Sequence, residues 1–151
     1  MPRCLIFDDE YWLYEKELNE CLSPYSEMIG TPVYINDDKI YAWIQDQHQF
    51  DLIVWDICME KITICPEAIE KCEIISKRAF KPDEALGYCW YLSLPADIQK
   101  KAAIMITAYQ VQDDIARKIR KAHPSLIYQA RIGEGAIQNL AKKIVTYLGI
   151  I

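Results

Sequence analysis

The strongest constraint in this sequence is a set of short apolar runs, most of which stop at a charged or hydroxyl-bearing residue. Arg3 to Phe7 reads Arg-Cys-Leu-Ile-Phe and stops at Asp8-Asp9. Thr31 to Ile35 is short and β-branched. Asp51 to Trp55 runs into Asp56, Ala102 to Ile106 into Thr107, and Leu126 to Ala130 into Arg131. Runs this short predict strands buried on both faces, as in a parallel sheet.

The segments between them carry helical spacing instead. Tyr11, Tyr14, Leu18, Cys21, Leu22 and Tyr25 predict a helix that ends at Ser23-Pro24. Asp37 or Asp38 is placed to cap a helix with Ile40, Trp43 and Ile44 on one face. Val111, Ile115, Ile119 and Ala122 predict a helix that stops before Pro124. Ile137, Leu140, Ala141, Ile144, Val145 and Leu148 make the cleanest stripe in the chain. Between Asp56 and the fourth strand the chain is too long for one helix. Pro66, Ile69, Cys72 and Ile75 suggest one helix, Phe80-Lys81-Pro82-Asp83 interrupts it, and Leu86, Cys89 and Trp90 suggest another running toward Pro95. Strands alternating with helices predict a doubly wound α/β fold: one domain over 1–151, with a five-stranded parallel sheet and an extra helical insert at about 60–83.

Composition narrows the function classes. The net charge is −5, and the one basic run, Arg117 to Lys121, is short. Nucleic-acid binding by the whole domain is therefore not expected, since phosphate contacts need clustered Lys and Arg. No apolar run reaches membrane length and none near the start resembles a signal peptide, so a cytoplasmic protein without membrane contact is expected. The six cysteines form no Cys-x-x-Cys pair and there are two histidines, which does not match zinc spacing.

A parallel sheet brings the carboxyl ends of its strands onto one rim. Asp8, Asp9, Asp56, Thr107 and Arg131 all stand at predicted strand ends. Three carboxylates in one place repel, and an oxygen-rich site of this kind suits Mg²⁺. A metal-bound carboxylate beside a hydroxyl and a cation is an arrangement fit for phosphoryl transfer, with the carboxylate itself as nucleophile.

At this point the chain resembles response-regulator receiver domains. The likeness rests on Leu-Ile-Phe-Asp8-Asp9-Glu10, on Asp51-Leu-Ile-Val-Trp-Asp56-Ile-Cys-Met59, on Ile-Met-Ile-Thr107-Ala108-Tyr109, and on Tyr128 three positions before Arg131. It implies a flavodoxin-like strand order 2-1-3-4-5. It implies Asp56 as phosphoacceptor, and Mg²⁺ held by Asp9, Asp56 and the Cys58 backbone carbonyl, with Asp8 acting through water. It implies Thr107 and Tyr128 as switch residues, a sensor histidine kinase or phosphotransfer protein as donor, and a downstream protein partner. A homodimer through the fourth helix, fifth strand and last helix is one route for the output. Two departures stand out: Arg131 replaces the family's lysine, and Glu60 follows Met59 where the family has proline. They leave open a phosphorylation-independent interaction module on the same fold. A Mg²⁺-dependent aspartyl phosphohydrolase is a weaker alternative, because Asp8-Asp9-Glu10 lacks the Asp-x-Asp spacing of the haloacid-dehalogenase type. The chain is thus expected to be a switch, not a turnover enzyme.

Overall fold

The computed structural model describes residues 1–36, 40–45, 50–57, 86–92, 94–107 and 113–151. Five strands form one parallel sheet: β1 (Cys4–Phe7), β2 (Val33–Ile35), β3 (Leu52–Asp56), β4 (Ile104–Thr107) and β5 (Ile127–Ala130). Their order is β2-β1-β3-β4-β5, so the chain reverses its winding direction beside β1. That is the doubly wound, flavodoxin-like order that the family resemblance implies.

Side chains alternate across a strand, and β1 shows what this does here. Cys4 and Ile6 enter one core with Leu52, Val54, Ile104 and Ile106. Leu5 and Phe7 enter the other with Ile53, Trp55 and Met105. Both faces of the central strands are therefore buried, which is why these runs are apolar throughout rather than alternating.

On the first face lie α1 (Glu15–Leu22) and α6 (Ala136–Tyr147). Leu18 and Leu22 of α1 pack with Ile137, Leu140, Ala141, Ile144 and Val145 of α6. The expected stripe of α6 is thus its buried face, and Leu148 packs against the same core. Gly135 supplies the left-handed turn that starts α6, at φ 72°, a conformation costly for residues with a Cβ. On the other face are α2 (Ile40–Gln45), α3 (Leu86–Leu92), α4 (Ala96–Lys101) and α5 (Asp113–Ala122).

Several expectations are corrected. The first helical segment is not one helix: Tyr11–Leu13 and Ser23–Tyr25 are 3₁₀ turns flanking α1. β4 starts at Ile104, because Ala102 ends α4 and its amide caps onto the Ile98 carbonyl. α4 is a helix that the apolar spacing does not predict. Ala122 is exposed, while Ile119 on the same helix is fully buried. The insert at 60–83, its Pro66 helix and its Phe80 to Asp83 break lie outside the described residues, as do Asp37, Asp38, Cys58, Ala108, Tyr109 and Val111. The same holds for the side chains of Ile44, Cys89, Trp90 and Ile115. Among the described residues no helix is long and apolar enough to cross a membrane.

Candidate functional site

The parallel ladder fixes where each strand delivers its last residue. Beyond β1, the Asp8 amide still donates to the Ile35 carbonyl at 3.1 Å. Asp56 ends β3 in register with Ile106, and the Ile57 amide continues to the Ile106 carbonyl at 3.0 Å. Thr107 pairs with Ala130, and its carbonyl accepts the Arg131 amide at 3.0 Å. The strand ends therefore converge as the sequence implied. Asp8 and Asp56 are fully buried, and Asp9, Thr107 and Arg131 are each less than a tenth exposed.

One oxygen from each of Asp8, Asp9 and Asp56 lies within 4.8 Å of the others. Burying carboxylates this close is unfavourable unless a cation joins them. Arg131 does so. Its Nε lies 3.2 Å from Asp8 Oδ2 and 3.8 Å from Asp56 Oδ2, and its Nη2 lies 3.2 Å from Glu10 Oε1. The side chain that replaces the family lysine therefore reaches the acidic cluster. These carboxylates raise the Arg131 pKa: burial pulls it down, and Asp8, Asp56, Tyr14 and Glu10 together outweigh that pull. The guanidinium stays charged.

Asp8 is heavily engaged. Its Oδ1 accepts the Glu10 amide at 2.8 Å, and its Oδ2 accepts the Tyr14 hydroxyl at 2.7 Å. Tyr14 also stacks its ring beneath the guanidinium, with Arg131 Cζ 5.8 Å from the ring centre. Its phenol pKa is pushed well up, first by burial, then by the Asp8 charge and hydrogen bond and by Asp56, with Arg131 opposing. The tyrosine therefore remains a neutral donor.

The backbone of Asp56 has its own support. The first turn of α3 lies directly on it: Gly87 donates its amide to the Ile57 carbonyl at 2.8 Å and accepts the Trp55 indole N–H. A Cβ at Gly87 would stand 1.8 Å from the Asp56 carbonyl oxygen, so only glycine fits.

Tyr128 stands on β5 at the edge of the second core, half-buried, with its hydroxyl buried and Arg120 over its ring at 5.2 Å. Glu10, Tyr14 and Gly87 were missed as site residues. Glu10 had a visible signal, adjoining the acidic pair; Tyr14 read as one member of a helical stripe.

Three buried carboxylates with hard oxygen donors fit a divalent cation such as Mg²⁺.

No family model matches the chain, and no curated protein matches it. Solved structures do. One is the signal receiver domain of a DNA-binding response regulator protein from Colwellia psychrerythraea 34H, with a TM-score of 0.54 at 12% identity over 97% of this chain and 99% of that one. The chain has the fold of a response-regulator receiver domain. This chain is also matched by a de novo designed Rossmann 2x3 fold protein, with a TM-score of 0.51 at 12% identity over 97% of this chain and 91% of that one. A receiver-like backbone is thus a scaffold, and function has to be argued from the residues it carries.

Proposed function

We propose that the chain is a receiver that accepts a phosphoryl group on Asp56. The observation that carries this is the buried Asp8, Asp9 and Asp56 cluster with Arg131 ion-paired into it. In the reaction, an Asp56 carboxylate oxygen attacks the phosphorus of an acyl phosphate or phosphohistidine donor. The bond from phosphorus to the donor breaks, the donor keeps the electron pair, and Asp56 becomes an aspartyl phosphate.

Asp9, Asp56 and the Cys58 carbonyl would hold Mg²⁺, with Asp8 acting through water; when bound, the ion offsets charge on the equatorial oxygens of the transferring group. Arg131 brings a cation to the acceptor's neighbourhood, its Nε lying 3.8 Å from Asp56 Oδ2. Thr107, at the end of the adjacent strand, would turn its hydroxyl to the phosphoryl group, and Tyr128 would move inward behind it. A sensor histidine kinase or phosphotransfer protein as donor, a downstream protein partner, a cytoplasmic setting and a switching role without multiple turnover belong to this reading. The Arg131 bond to Glu10 favours a second one, in which Arg131 serves as the site's own counter-ion and the domain binds partners without phosphate.

Incubation with acetyl phosphate and Mg²⁺, followed by intact-mass spectrometry, separates the two. The expected result is one phosphoryl adduct, absent in Asp56→Asn and absent with EDTA. No adduct under saturating donor would overturn the phosphoacceptor reading in favour of the second.

A further inference from the structure

The Arg131 guanidinium occupies ground that a metal ion would claim. Its Nε sits between Asp8 Oδ2 at 3.2 Å and Asp56 Oδ2 at 3.8 Å. That buried Nε is aligned for a hydrogen bond with neither. Its contact there is an ion pair and not a directional hydrogen bond. The directional bond of the guanidinium runs from Nη2 to Glu10. Glu10 differs from the other carboxylates in reaching solvent: its side chain is 19% exposed, against 0% for Asp8 and Asp56. A cation retreating toward Glu10 would move outward and still keep an ionic partner.

From this we infer that Arg131 is a resident counter-ion that competes with a divalent cation for the acidic cluster, and that Glu10 is the positioning residue that receives Arg131 when metal enters. The inference rests on the functional reading only in taking the cluster as a cation site. Without metal, Arg131 offsets the charge of Asp8 and Asp56. With metal, the guanidinium gives up Asp56 and relies on Glu10. Arg131 then keeps an ionic partner in both states, and a lysine, with one compact ammonium group, could not span the two positions as a fork does.

Plain electrostatics makes a different forecast, because removing Glu10 would then weaken cation binding equally whether or not Arg131 is present. A double-mutant cycle read by calorimetric titration of the metal-free protein with Mn²⁺ separates the two. Arg131→Gln is expected to tighten Mn²⁺ by about tenfold. Glu10→Gln is expected to weaken it by about tenfold with Arg131 present and by less than about threefold with Gln at 131. An equal cost in both backgrounds would overturn the inference. So would unchanged or weaker binding in Arg131→Gln, or no Mn²⁺ binding by any of the proteins at millimolar metal. If circular dichroism shows that Arg131→Gln does not fold, Arg131→Lys takes its place. There the Glu10→Gln cost should fall to about threefold, and an undiminished cost would overturn the inference. Acetyl phosphate labelling stands apart from this: coupling without labelling defeats the functional reading alone, and labelling without coupling defeats this inference alone.

Discussion

The two faces of the sheet are covered in different ways. One is closed by α1 and α6, with aliphatic side chains at regular helical spacing: Leu18, Leu22, Leu140 and Ile144 over Ile6, Val54 and Ile106. The other is closed by α2 to α5 and leans on aromatics: Trp55, Tyr88 and Tyr91 join Phe7, and His123 bridges to the Tyr88 hydroxyl at 2.9 Å. Each face does one job for the site. The aliphatic face supplies the charge machinery, because Tyr14, at the head of α1, holds Asp8 and underlies Arg131. The aromatic face supplies the backbone, because Gly87 and Trp55 fix the peptide that follows Asp56. Two covers of one sheet thus control the side-chain and main-chain halves of a single residue's environment.

That division can be broken from either side. The largest effects come from paired core substitutions, Gly87→Ala on the aromatic face and Leu140→Ala on the aliphatic one. Leu140 is fully buried, and its truncation should cost about 3 kcal/mol by the usual cavity penalty. Gly87→Ala should cost at least as much, about 3 kcal/mol or more, since its Cβ would meet the Asp56 carbonyl at 1.8 Å. Urea denaturation measures both. The contrast lies in Mn²⁺ affinity of the still-folded proteins: Gly87→Ala should lower it and Leu140→Ala should leave it near wild type. Equal effects would dissolve the distinction between the faces.

A smaller effect sharpens the charge side. Tyr14→Phe removes one donor from the fully buried Asp8 and should cost about 1–3 kcal/mol at neutral pH. Its pH dependence follows from the raised phenol pKa. A group whose pKa is higher folded than unfolded contributes in full below its unfolded value, about 10 for tyrosine, and loses that contribution as pH rises through the folded one. Wild-type stability should therefore fall more steeply than that of Tyr14→Phe above about pH 10. Thermal melts across that range test it, and parallel slopes would show that Tyr14 is not the group responsible.

The smallest expected effect is at the surface where α1 meets α6. Gln138 donates to Glu17 at 3.0 Å in exposed positions. Gln138→Ala should change stability by less than about 0.5 kcal/mol, leaving the aliphatic face to be held by its buried stripe. A larger loss in the same denaturation assay would assign that face's stability to its rim.

The sequence was most legible where one periodicity ran unbroken. α6 spans three turns, and its stripe of Ile137, Leu140, Ala141, Ile144 and Val145 is the face that is buried. α4 has only six residues, Ala96–Lys101, too few for a stripe to repeat. Its marks were at its ends: Pro95 before it, Asp97 in its first turn, Lys100 and Lys101 in its last. The rim residues Asp8, Asp9, Asp56, Thr107 and Arg131 were legible because parallel strands bring their carboxyl ends together whatever the helices do. The parts played by Glu10, beside the acidic pair, and by Tyr14 were not. Their roles depend on which way a side chain points across the rim, and Glu10 meets a residue 121 positions away. Tyr14 lies within an apolar stripe, and periodicity does not say whether a buried phenol is filling space or donating a hydrogen bond.

The most direct test of the central claim is to locate a phosphoryl group by chemistry. After acetyl phosphate and Mg²⁺ treatment, borohydride reduction converts an aspartyl phosphate to homoserine, and peptide mass spectrometry reads its position. The account predicts conversion at Asp56, with none at Asp8 or Asp9. Conversion at either of those residues, or none at Asp56 under saturating donor, would contradict it.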